Sequence, residues 1–215
     1  MGDVARRLTG LTVTTAALAA VVTFTTAPSE QAAPPPDFGR AGASPAAVPG
    51  RPPGASSPRP ASHAQDASPP QRVLVRSVGL DARIRPVGVT EAGDMAIPSD
   101  PGVAGWYRFG PAPGSDRGSS VLVGHVDGDT GALGEFASLY DVRPGDRVEV
   151  RRAGAEPAGY RVTARSTVAK DALPSSAFRR SGPPVLTLIT CAPPFLPEEG
   201  GYQANLIVTA EPVTG

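Results

Sequence analysis

Cys191 is the only cysteine of the 215-residue chain, and His125 is the only histidine beyond the first 71 residues. Together a thiol and an imidazole can do nucleophilic chemistry. The thiolate attacks an electrophilic carbon while the imidazole carries protons to and from the reacting groups. Uncoupled, a thiol near pKa 8.5 beside an imidazole near 6.5 is only about 1% in the thiolate–imidazolium form. Such a site therefore needs positive charge or donors near the sulfur, or it works through that minor fraction. The same two residues also fit a plainer reading, a small core cysteine closing a strand and a solvated loop histidine.

Both candidates end apolar runs and are followed at once by turn-formers. Ser119–His125 reads as a short buried strand and is followed by Val126-Asp127-Gly128-Asp129; Val185–Thr190 leads into Cys191 and then Ala192-Pro193-Pro194. Strand ends opening into loops are where a rigid sheet exposes reactive groups. Further strands are predicted over 72–78, 82–89, 146–151, 160–168 and 205–210, from period-two alternation or short apolar runs between turn signals. Glu135–Tyr140 and Ser175–Arg180 read as single helical turns. Seven or eight short strands at this spacing predict a mainly β domain, a closed barrel or a sandwich.

That domain occupies residues 72–215, long enough for one buried core. Residues 1–27 read as a targeting segment. Arg6 and Arg7 precede Leu8–Ala27, 20 residues without a charge, which as a helix would span about 30 Å and cross a bilayer core. Seven of the 20 are threonine, so a cleaved signal peptide and a retained signal anchor both fit. Either one places the rest outside the cytoplasm, membrane-anchored or secreted. Residues 28–71 form a linker. Of the 45 residues from Ala27 to Gln71, 33 are Pro, Ala, Ser or Gly, too little apolar surface to offset the entropy of ordering. Its prolines predict an extended spacer of up to roughly 140 Å. His63 lies in it.

Twenty basic residues, 19 of them arginine, balance 20 acidic ones. A nucleic-acid binder needs a basic excess to displace counterions, so that class is excluded. One cysteine excludes an internal disulfide, and with two histidines it cannot build a Cys-rich zinc site. Asp127-Gly128-Asp129-Thr130-Gly131 lacks the remaining ligands of a calcium loop and reads as an Asp/Gly turn. No metal or cofactor is expected.

His before Cys is the reverse of the papain-like order, and no Ser-His-Gly-Cys cluster of the L,D-transpeptidase kind is present. Instead Gly124-His125-Val126-Asp127, Leu186-Thr187-Leu188-Ile189-Thr190-Cys191 and Gly201-Tyr202-Gln203-Ala204-Asn205-Leu206-Ile207-Val208 resemble the three signature segments of the sortases. Gly105-Trp106-Tyr107-Arg108 and Arg143-Pro144-Gly145-Asp146-Arg147-Val148 extend the likeness, which is nearest to the actinobacterial-type class F (or E) enzymes. It covers nearly all of Arg72–Pro212.

The resemblance implies an eight-stranded sortase β-barrel and a cysteine transpeptidase acting on an LPXTG-like sorting signal. Cys191 would carry the acyl group as a thioester, and His125 would protonate the leaving amine and deprotonate the incoming nucleophile. The acceptor would be an amine from a cell-wall precursor or a pilin, or water. Thr190, beside the cysteine, is a candidate substrate contact. Where the family has an arginine steadying the oxyanion, this chain has Gln203. No Arg or Lys follows Arg180. Three readings stay open: Gln203 is a weaker donor, an upstream arginine such as Arg108 reaches the site, or the chain is a degenerate sortase that binds without chemistry.

Overall fold

Residues 33–39, 68–128 and 130–213 are described by the structure, a computed structural model. The targeting segment over 1–27 and most of the linker over 28–71, His63 included, lie outside the described residues. Among those described, no helix is long and apolar enough to cross a membrane.

Eight strands form one closed barrel: β1 (Pro70–Val75), β2 (Leu80–Val87), β3 (Val103–Tyr107), β4 (Ser119–Val123), β5 (Arg147–Arg152), β6 (Ala155–Ala169), β7 (Val185–Leu196) and β8 (Gly201–Pro212). Around the barrel they run β1-β2-β3-β4-β7-β8-β6-β5. Alternation decides which face each strand buries. In β2, Leu80, Ala82 and Ile84 point in while Asp81, Arg83 and Arg85 meet solvent. In β5, Val148 and Val150 point in. β4 is buried on both faces, as its unbroken apolar run predicts. An eight-stranded barrel is just wide enough for side chains to fill it. Here Val73, Val75, Leu122, Leu186, Leu188, Leu206 and Val208 do so, with Phe136 and Leu139 brought in by the 3-10 turn Glu135–Tyr140. Burying one such side chain contributes about 1.5–3 kcal/mol.

Two pairings are parallel, β2 with β3 and β4 with β7. The second matters for function. Parallel neighbours run the same way, so β4 and β7 carry the two segments with the candidate chemistry toward the same end of the barrel.

Composition placed residues 33–39 in the unfolded linker, and the structure places them on the barrel. Phe38 and Arg165 exchange both backbone hydrogen bonds at 2.9 Å, and the Asp37 carboxylate accepts the Thr167 N–H at 2.8 Å. The segment pairs with the part of β6 that runs past its β5 partners. Arg165 is buried there. Its guanidinium donates to the carbonyls of Tyr140 (2.5 Å), Val142 (3.0 Å) and Pro36 (2.9 Å), and lies over the Phe38 ring, 4.9 Å from its centroid. A tertiary partner of this kind leaves no trace in local composition.

Candidate active site

The β4–β7 register aligns Leu122 with Leu188 and Val123 with Ile189. The ladder runs one step further, through the Gly124 N–H to the Ile189 carbonyl at 3.1 Å. Two residues beyond Val123 and Ile189 stand His125 and Cys191. His125 stands just past the end of β4 and Cys191 within β7, so both lie toward the same end of this pair of parallel strands. Leu186, Leu188 and Ala192 face the core, so Thr187, Ile189 and Cys191 share the opposite face of β7.

Cys191 is a free, half-buried thiol. Burial pushes it above the ordinary thiol range; the positive charge of Lys170 opposes that shift, and the negative charge of Asp127 adds to it. The resting sulfur is thus a neutral thiol. Its own carbonyl accepts the Tyr140 hydroxyl at 2.8 Å. Burial, reinforced by Cys191 and Asp127, pushes that phenol up to about 12, so it stays a donor.

His125 is half-buried, and its Nε2 lies 2.9 Å from the Pro98 carbonyl. A carbonyl can only accept, so Nε2 carries a proton and neutral His125 holds its free lone pair on Nδ1. The loop after His125 folds back on itself through Gly128 N–H to the Ala132 carbonyl and Gly134 N–H to the Val126 carbonyl. Its Asp127 carboxylate accepts the Tyr202 hydroxyl at 2.7 Å. Tyr202 in turn packs edge-on against Phe195, with ring centroids 4.9 Å apart. The pair bridges the His125 loop to the β7–β8 hairpin.

Gly134 shows how closely the His125 loop is packed. A Cβ there would sit 2.3 Å from the His125 carbonyl oxygen and 2.9 Å from its carbon. Those are backbone atoms and can yield only by moving the histidine peptide. Gly134→Ala is expected to keep the barrel but displace the imidazole. Misplacement by about 1 Å costs on the order of 10²-fold in rate. Shifted His125 ring signals in NMR spectra, together with a drop in turnover of that order, are the expected result; unmoved signals would refute the packing argument.

The remaining sequence candidates are placed differently. Gln203 lies on β8 with its amide turned back to the carbonyls of Glu199 (3.2 Å) and Gly201 (2.8 Å). Thr190 is 1% exposed, on the core-facing side of β7, with a hydroxyl that finds no hydrogen-bond partner. Its side chain is therefore on the face opposite Cys191. Arg108 does not reach the sulfur. β3 runs antiparallel to β4 with Trp106 opposite Leu122, so Arg108 is level with Ser120, five residues or about 17 Å back along β4 from His125. Its guanidinium lies over Phe109. Sequence reasoning missed Tyr140, Tyr202, Asn205 and Lys170. Tyr202 and Asn205 stood within the third signature-like segment, and Lys170 was the single lysine among 19 arginines. Among the described residues no group of three or more His, Cys, Asp or Glu side chains could hold a metal.

The eight-stranded barrel carries its one thiol on β7 and an imidazole just past the end of the parallel neighbour β4. Residues 73–213 match the family described as the Sortase domain. The chain belongs to the sortase family, whose members are cysteine transpeptidases. Among solved structures it is similar to sortase C2 of pilus island 1 from group B Streptococcus (24% identity, TM-score 0.51, 66% of this chain and 73% of that one). It is likewise similar to sortase C-1 from Actinomyces oris (24%, 0.51, 67% and 73%). A third likeness is to sortase C1 from Streptococcus agalactiae (22%, 0.52, 67% and 67%). At that identity the likeness is one of fold. No curated protein sequence matches the chain.

Proposed function

We propose that this protein is an extracytoplasmic sortase of the class F (or E) type that cleaves an LPXTG-like sorting signal and transfers the acyl group to an amine or to water. The observation that supports it most is the parallel β4–β7 pairing, which carries the segments of His125 and Cys191 toward the same end of the barrel. In this reading His125 takes the thiol proton at Nδ1 while Nε2–H stays on the Pro98 carbonyl. The Cys191 thiolate attacks the threonine carbonyl, the peptide bond breaks, and His125 returns the proton to the departing amine. The thioester then yields to an incoming amine, from a cell-wall precursor or a pilin, or to water, with His125 accepting that nucleophile's proton. Because burial keeps the resting thiol neutral, the reaction draws on the minor thiolate fraction. Tyr140 holds the Cys191 peptide in place. The leader over 1–27 would tether the enzyme to the membrane or direct its secretion, with the linker as spacer.

A second reading, a sortase-like module that grips sorting signals without processing them, draws on Gln203, whose amide is engaged by its own loop and brings no charge. Intact-mass measurement separates the two. Incubated with a library of sorting-signal peptides, the enzyme gains an acyl mass on Cys191 and releases the C-terminal remainder. Peptide retention with neither product would leave only the binding module.

A further inference from the structure

Three adjacent strands carry a line of residues across the outside of the barrel. Cys191 on β7 faces Asn205 on β8, and Asn205 faces Val168 on β6. One step on, Ala192 faces Ala204 and Ala204 faces Ala169. Lys170, the next residue, opens the 3-10 turn Lys170–Ala172 and stands level with Gln203. The Asn205 amide, directly opposite Cys191, donates to the Lys170 carbonyl at 3.4 Å, which ties the lysine's backbone to the strand position facing the sulfur. Lys170 is exposed, so its stem is free to lie across β8.

The groups that act electrostatically with Cys191 come from several neighbouring elements: Asp127 from the loop after β4 that also carries His125, Tyr140 from its 3-10 turn, Tyr202 from β8, and Lys170 from the end of β6. Tyr140 and Tyr202 are held as neutral phenols, and Asp127 is negative. Among the described residues, Lys170 is the one cation that acts on the thiol. Gln203 brings no charge and Arg108 is at the far end of the sheet.

We infer that Lys170, the chain's only lysine, is the positive charge of this site: a positioning residue that holds the Cys191 thiolate and the anionic intermediate built on it. It acts through the sulfur across one intervening strand. The assignment rests on the acyl-transfer reading above but can be tested without a peptide, because the chain has a single thiol to label.

The test compares the full-length protein with Lys170→Gln and Lys170→Arg by the pH dependence of iodoacetamide labelling. In the wild type the rate should rise with pH through a midpoint above that of free cysteine, since burial outweighs the lysine. Loss of the charge should move the midpoint higher still and slow neutral-pH labelling by about 3–10-fold, the equivalent of a half to one pKa unit. Arginine should restore the wild-type profile. Salt near 1 M should narrow the gap between wild type and Lys170→Gln, because the charge is exposed and the Debye length is then about 3 Å. Superimposed profiles for wild type and Lys170→Gln, or a Lys170→Arg protein as slow as Lys170→Gln, would overturn the inference. Failure of the wild type to process any peptide, with the labelling shift intact, would sink the transpeptidase reading and leave the charge assignment standing.

Discussion

Cys191→Ala is expected to leave the barrel intact and abolish acyl transfer. The thiol is half-buried on the outer face of β7, so its loss removes only one small group. The stability change should be within about 1 kcal/mol, and the Tyr140 hydroxyl keeps its backbone acceptor. Activity is another matter, because the sulfur forms the bond that defines the intermediate. In a serine protease, removal of the nucleophile alone costs on the order of 10⁶ in kcat, and a loss of at least about 10⁴-fold is the expectation here. His125→Ala should lower turnover by about 10²–10⁴-fold, the range of general acid–base catalysis. The double variant should be no worse than Cys191→Ala, since the two act as one unit. Peptide cleavage followed by chromatography, with circular dichroism to confirm the fold, measures all three. Residual turnover in Cys191→Ala within tenfold of wild type would remove the thiol from the mechanism.

Arg165→Met carries the largest expected effect on stability. The guanidinium is buried beneath residues 36–38 and satisfies three carbonyls, those of Pro36, Tyr140 and Val142. Desolvation holds its pKa below the ordinary arginine value, with Asp37 and Asp141 pulling the other way. Methionine fills the volume but donates nothing, so the three carbonyls lose a charge-assisted partner, each interaction being worth about 1.5–3 kcal/mol. Water can reach part of the cluster once the segment lifts, so the net loss should be about 2–4 kcal/mol. The Arg165 and Thr167 amides, which bond to Phe38 and Asp37, should lose hydrogen-exchange protection together. Phe38→Ala should reproduce that loss at a smaller cost in stability. Unchanged protection at both amides in Arg165→Met would mean that the guanidinium does not hold the segment.

Much of the barrel was legible because its strands alternate or run apolar between strong turns. The runs at 185–190 and 205–210 became the cores of β7 and β8, and the two helical turns appeared as 3-10 turns at Glu135–Tyr140 and Ser175–Phe178. Both strands proved longer than predicted. β7 continues through Pro193 and Pro194, residues that usually end a strand, because the register shifts between Ala192 and Phe195 and frees their positions from the ladder. β3 went unseen as a strand; Val103–Tyr107 has a central glycine and little alternation, and it is defined by its neighbours. The same divide runs through the site. His125 and Cys191 could be picked out by rarity and by the turn-formers that follow them in the sequence. Lys170, Asn205, Tyr140 and Tyr202 come near the sulfur only through strand register and a folded-back turn, which no local pattern encodes.

The attachment of Phe38 also bears on how the barrel is handled. A chain cut back to the family-matched residues 73–213 would discard residues 33–39 and the first half of β1. The Arg165 N–H and C=O and the Thr167 N–H would then face water along an unpaired strand margin, which is the kind of surface that recruits strands from other molecules. Such a shortened protein should self-associate as its concentration rises, whereas a chain beginning at or before Ala33 carries its own guard against it.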